Sequence, residues 1–283
     1  MSISASHKIL LAFIYSFFVA SLASAECSLN MVYKDGGKEP LITAKPSHDG
    51  VYYDVFNEAA KRIGCSLKVS RYPKKRLHIL LKKGELDFYP GASFSEKRAQ
   101  YLYYLPNGLQ TGEYGVTNSS VPELSSYEDL KKHDLIWLME IGSSKRDRAD
   151  RLGVTVRERK HFDLSFVAKF VNRSQDTNYF YVADKELVDY FHSQTGKTLK
   201  ASGLNLHKSC CGGDSPMYLG FSRFSEKFKE VKNAHYDASR ELTPTNYPVS
   251  VSEDSVAFKF GQALMAMKSE GVTDTIYNKW FKK

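Results

Sequence analysis

The chain has 283 residues, of which 42% are hydrophobic and 25% charged, with a formal net charge of +8. That length suits one large domain or two modest ones, each able to bury its own core. The basic residues are interleaved with acids, as in Arg146-Asp-Arg148 and Lys227-Phe-Lys-Glu230, so they read as solvated faces and exclude a nucleic-acid stripe.

Residues 1–25 read as an export signal rather than as part of the fold. Lys8 supplies a positive start, residues 9–20 form an apolar run short for a bilayer, and Ala23-Ser-Ala25 is a small-residue cleavage site. Cleavage leaves a mature chain that starts near Glu26 and has no second stretch apolar enough to span a membrane. Its four cysteines meet an oxidising compartment, where three pairings are open. Cys27 and Cys65 each open a predicted strand and would meet if those strands are parallel neighbours, which makes them the preferred pair. Cys210 and Cys211 are adjacent, and a vicinal bridge would need the strained turn that Gly212 and Gly213 help to accommodate. Reduced, metal-binding or intermolecular roles stay open, although the paired Cys/His spacings of a zinc site are missing.

A strand over 28–32, an amphipathic helix over 52–63 ending at Gly64, and a strand over 66–71 make a βαβ opening. A second helix over 75–83 leads through Gly84 into a strand over 86–89. Pro90 and Gly91 break that strand, and Ser95 before Glu96 has the chemistry of a helix N-cap. Backbone N–H groups at this turn, with Ser93 and the planar fork of Arg98, outline a space sized for a carboxylate. The same spacing also fits an ordinary strand-turn-helix with a surface arginine. The alternation implies a parallel α/β sheet, and ligands of such sheets sit beyond the carboxyl ends of the strands, where 90–98 lies.

The chain turns polar near Thr117, and the alternation then restarts. A short helix over 124–131, a strand over 135–140, a turn at Gly142-Ser143-Ser144 and helices over 146–152 and 164–173 precede an aromatic strand over 179–183. Asp184 follows that strand, and a helix over 185–192 stops at Gly196. The segment from Ser209 to Pro216 reads as a second crossing between lobes. Helices over 225–231, 257–270 and 273–280 would complete the first lobe. The expected division is therefore 26–117 with 209–283 in lobe 1, and 118–208 in lobe 2.

With these motifs placed, the chain resembles the family 3 extracellular solute-binding proteins, the periplasmic polar amino-acid-binding components of ABC importers. The resemblance rests on Gly50-Val-Tyr-Tyr-Asp54, Pro73-Lys-Lys-Arg76, Gly84-Glu-Leu-Asp87, Gly91-Ala-Ser-Phe-Ser-Glu-Lys-Arg98, the Ser-Tyr-Glu-Asp-Leu130 lead into the second lobe, and Gly271-Val-Thr-Asp-Thr-Ile-Tyr-Asn-Lys-Trp-Phe281. It implies a periplasmic monomer without cofactor or metal, built as two α/β lobes joined by two hinge crossings. It further implies that Arg98, Ser93 and backbone near Gly91 hold a ligand carboxylate. Ser143 and Ser144 would add donors from lobe 2, and Asp184 would receive the ligand ammonium. Tyr33, Tyr72 and Arg76 are the further cleft candidates, and the partner would be an ABC permease or a sensor receptor. The segments 173–178 and 234–254 and the paired cysteines depart from the family pattern.

An enzymatic alternative comes from prephenate and arogenate dehydratases of the same fold, for which Glu113 or Glu140 would have to act as the acid. Hydrolase and P-loop signatures are missing, and the eight histidines are scattered.

Overall fold

The computed structural model describes residues 27–160, 162, 164–173 and 177–281; the expected signal peptide and part of the 173–178 segment lie outside them. In chain order the strands are β1 (Ser28–Lys34), β2 (Ser66–Tyr72), β3 (Phe88–Tyr89), β4 (Leu102–Asn118), β5 (Ile136–Glu140), β6 (Val156–Arg159), β7 (Tyr179–Asp184), β8 (Leu204–His207), β9 (Gly213–Ser222), β10 (Glu230–Lys232) and β11 (Val249–Val251). The helices are α1 (Val51–Arg62), α2 (Lys74–Lys82), α3 (Glu96–Ala99), α4 (Asp129–Lys132), α5 (Arg146–Leu152), α6 (Leu164–Arg173), α7 (Lys185–Thr195), α8 (Val256–Ser269) and α9 (Val272–Phe281).

The main sheet runs β2-β1-β3-β9-β4-β7-β5-β6, with β8 also on β4. Its two ends are parallel, β2-β1-β3 and β7-β5-β6, as βαβ crossovers require. Its middle is an antiparallel ribbon of β4 and β9. β4 has 17 residues, so at ~3.3 Å per residue it is long enough to run through two cores.

The cores are separate. One gathers Leu29, Met31, Phe56, Phe88, Phe221 and Phe260, all fully buried, with Phe88 packed at 5.2 Å between ring centroids on both Phe56 and Phe260. The other lies on both faces of the second parallel end. Trp137 and Met139 point to one face with Phe180, and Leu138 points to the opposite face with Tyr179 and Tyr181, the two-residue alternation of a strand. Tyr114, Val116, Cys210 and Cys211 pack with this second core, and Leu109 and Met217 with the first.

Ser28 pairs with Ser66 in the parallel register, and the preceding residues form the preferred Cys27–Cys65 disulfide. Cys210 and Cys211 form a vicinal bridge, followed by Gly212 and Gly213 at φ +125° and +64°. Two expected helices are corrected. The one over 124–131 is reduced to the single turn α4 at Asp129–Lys132. The helix expected over 225–231 is a turn followed by β10, because Ser225 donates to the buried Asp87 (2.5 Å) and accepts from the Lys227 amide, and only Phe228 of the following residues is buried. The segment after it is a loop anchored by Asn246, whose amide donates to the carbonyls of Asp237, Arg240 and Glu241 between β10 and β11.

Candidate functional site

The turn after β3 builds one wall of a cavity between the two cores. Gly91 takes φ +61°, and a Cβ there would lie 2.1 Å from the Tyr52 hydroxyl, so the chain turns close under that ring only because glycine is present. Ser95 caps α3 by accepting the Arg98 amide at 3.3 Å, as its position before Glu96 predicts. The helix is a single turn, and along it and the turn before it Ala92 donates to the Tyr218 carbonyl, and Arg98 and Ala99 donate to the Ser95 carbonyl. The Arg98 side chain faces the same space, with Gly91 and Ser93 beside it.

Arg98 is 8% exposed. Its guanidinium donates to the Ser93 carbonyl and, across the cleft, to the Gly142 carbonyl, both at 3.3 Å, and has no carboxylate partner among the described residues. A buried guanidinium held only by carbonyls retains donors suited to a carboxylate.

The cavity, about 160 Å³, is lined from the first core by Tyr33, Lys34, Lys38, Lys74, Tyr89, Gly91, Ser93 and Arg98, and from the second by Glu113, Glu140, Ser143, Ser144, Lys145 and Asp184, with Trp137, Phe162 and Tyr181 as apolar wall. Tyr33 is buried and stacks on Tyr89 at 5.4 Å. A wider cleft of about 1030 Å³ continues past it, faced by Tyr52, Glu186, Met217 and the 241–244 loop. The ion pairs Lys38–Asp184 and Lys145–Glu113 face both spaces.

Seven of the nine expected ligand residues thus line one cavity: Tyr33, Gly91, Ser93, Arg98, Ser143, Ser144 and Asp184. Tyr72 and Arg76 do not. The Arg76 guanidinium lies over the Tyr72 ring at 5.6 Å, and Tyr72 packs on the first core. Residues two apart on a helix point to different sides, so the member of Pro73-Lys-Lys-Arg76 that reaches the cleft is Lys74.

Lysines are what sequence reasoning missed. Lys34 bonds Glu140 at 2.6 Å and Lys74 bonds it at 3.4 Å, while Lys38 bridges Asp184 and Glu186. Glu186 is almost fully buried and also accepts from the Thr111 hydroxyl at 2.9 Å. Burial opposes charge on Lys38, but Asp184 and Glu186 outweigh it and hold the ammonium well above its ordinary range. Burial likewise works against the Asp184 carboxylate, and Lys38 reverses the balance, so its pKa is lowered. Glu186, with burial dominant, is raised. Lys74 is pushed down to about 8, first by burial and then by Arg98 and Lys34, with Glu140 opposing.

Glu113 and Glu140, the acids an enzyme would need, are paired with Lys145 and with Lys34 and Lys74. No group of three or more metal-ligating side chains occurs among the described residues, and no described helix is long and apolar enough to cross a membrane.

The fold is shared widely. The chain is similar to an ancestral arginine-binding protein bound to arginine, at 18% identity and a TM-score of 0.61 over 90% of this chain and 98% of that one. A putative ABC-transporter binding component from Wolinella succinogenes complexed with lysine gives 18% identity and 0.63, over 90% and 96%. A histidine kinase sensor domain with similarity to periplasmic binding proteins gives 14% and 0.61, over 90% and 96%. No curated protein matches the sequence. A family model matches residues 33–283, nearly all of the described chain, and with the two-lobed α/β architecture this shows that the chain belongs to the bacterial extracellular solute-binding proteins, family 3.

Proposed function

We propose that this chain is a periplasmic binding protein, not an enzyme, whose lobes (26–117 with 209–283, and 118–208) close by hinge motion over a small carboxylate and present it to an ABC permease. The observation that carries the reading is Arg98: a buried guanidinium, facing the interlobe cavity, whose hydrogen-bond partners are the Ser93 and Gly142 carbonyls. Ser93, Ser143 and Ser144 line the same space with hydroxyls, and Tyr33 gives it an aromatic floor. A binding role fits better than dehydration, because Glu113 and Glu140, the acids an enzyme would need, are each engaged by lysines.

Calorimetry of the mature chain against amino acids and small carboxylates tests this. The arginine- and lysine-bound neighbours make amino acids a natural first panel. A saturable heat that disappears in Arg98→Ala is expected; no heat across both sets would overturn the reading. The sensor-domain neighbour supports a second reading in which the same clamp docks on a receptor. Pull-down with ligand-loaded protein distinguishes them, since a permease or a signalling protein would be recovered.

A further inference from the structure

The charges around the cavity are matched unevenly. Glu113 holds Lys145, Glu140 holds Lys34 and Lys74, and Asp184 and Glu186 share Lys38. Glu39 also lines the cavity, and its carboxylate accepts the Ala44 amide at 3.2 Å in an exposed turn. Every lining acid among the described residues therefore has a partner, and every lining lysine has an acid. Arg98 alone of the lining cations has no carboxylate among the described residues. The unmatched charge is single and positive.

A ligand carboxylate completes that arrangement. A ligand ammonium does not, because its expected receiver, Asp184, already holds the ammonium of Lys38, whose side chain is only 16% exposed. Displacing it would break a partly buried contact of a doubly paired lysine and leave Lys38 to Glu186 alone, which opposes the exchange. Resting on the carboxylate reading above, we propose that the ligand is a small carboxylate without an α-ammonium group, a 2-oxo, 2-hydroxy or unsubstituted short-chain acid, and that Lys38 supplies the cation an amino acid would bring.

The test is titration calorimetry of the mature chain with matched compounds: alanine against pyruvate and lactate, glycine against acetate, glutamate against 2-oxoglutarate. The acid lacking the ammonium should bind roughly thirty-fold tighter or better than its amino-acid counterpart. Lys38→Met should shrink or reverse that ratio, and Lys38→Arg should preserve it. The wild-type comparison decides by itself even if Lys38→Met melts early. An amino acid that binds as tightly as its counterpart, with heat abolished by Arg98→Ala, overturns this inference and leaves the carboxylate reading standing. No heat from any compound overturns both.

Discussion

Arg98 and Asp184 face the same cavity from opposite lobes, yet the first is left to two backbone carbonyls and the second is bound to a lysine. Both are charged groups withdrawn from bulk water, and a charge in that position is stable only with partners. Asp184 finds its partner inside the chain. Arg98 has two carbonyls, which take two of its five donors and leave its charge unpaired. What distinguishes the side poised for an outside ligand from the side completed internally is that the first has no carboxylate partner among the described residues, while the second has a lysine.

The sharpest way to break this contrast is Arg98→Ala. Carboxylate affinity should fall about a hundred-fold or more, read by calorimetry, while circular dichroism shows the fold retained. If affinity is unchanged, the two sides do not differ in the way described.

A second test uses acid. His78 hydrogen-bonds Tyr101 at 3.1 Å on the Arg98 side and is held down at about 3, chiefly by burial, with Arg98 and Lys74 adding. The unfolded chain takes up a proton near pH 6.5 and the native one does not until about 3, so stability is lost as pH falls through that window. The loss should be about 2 kcal/mol between pH 6.5 and 5, at ~1.4 kcal/mol per unit. Denaturant midpoints at those two pH values measure it, and His78→Phe should flatten the dependence.

Asp184→Asn gives the counterpart to the arginine variant. Because Lys38 already neutralises this carboxylate, ligand affinity should change by less than about ten-fold. An effect as large as that of Arg98→Ala would show that Asp184 contacts the ligand after all. The smallest expected effect is at alkaline pH. Lys74, at about 8, loses its proton above that value and with it part of the positive potential beside Arg98, so carboxylate affinity should drop by roughly three-fold from pH 7 to 9.5. Lys74→Met should abolish that slope.

Much of the frame was legible because it obeys local rules. The βαβ opening shows the alternation of apolar periods, and Ser95 caps α3 as a serine before a glutamate should. Arg98 stood out because a planar fork after a small-residue turn is suited to a carboxylate. β4 was not legible: Pro106, Asn107 and Gly108 sit within it as a break in register, and punctuation of that kind reads as loop. Its pairing with β9 is a tertiary contact no local window contains. The helix expected over 225–231 failed for a related reason, since Ser225 is committed to Asp87, 138 residues away. The cleft lysines carry the weakest sequence signal of all, because lysine is ordinarily a surface residue and only the fold reveals which ones turn inward.

The crossing between lobes has a mechanical consequence. β4 and β9 remain paired through it, from Gln110 opposite Pro216 to Glu113 opposite Gly213. Sliding one strand along the other by a residue would undo the ladder and turn every side chain to the wrong face, whereas a ribbon can bend and twist with its ladder intact. The two halves are sewn along a single spine, like the pages of a book. Their relative motion is confined to bending and twisting of that spine, so two distances between labels on opposite covers, one near it and one far from it, would separate the two.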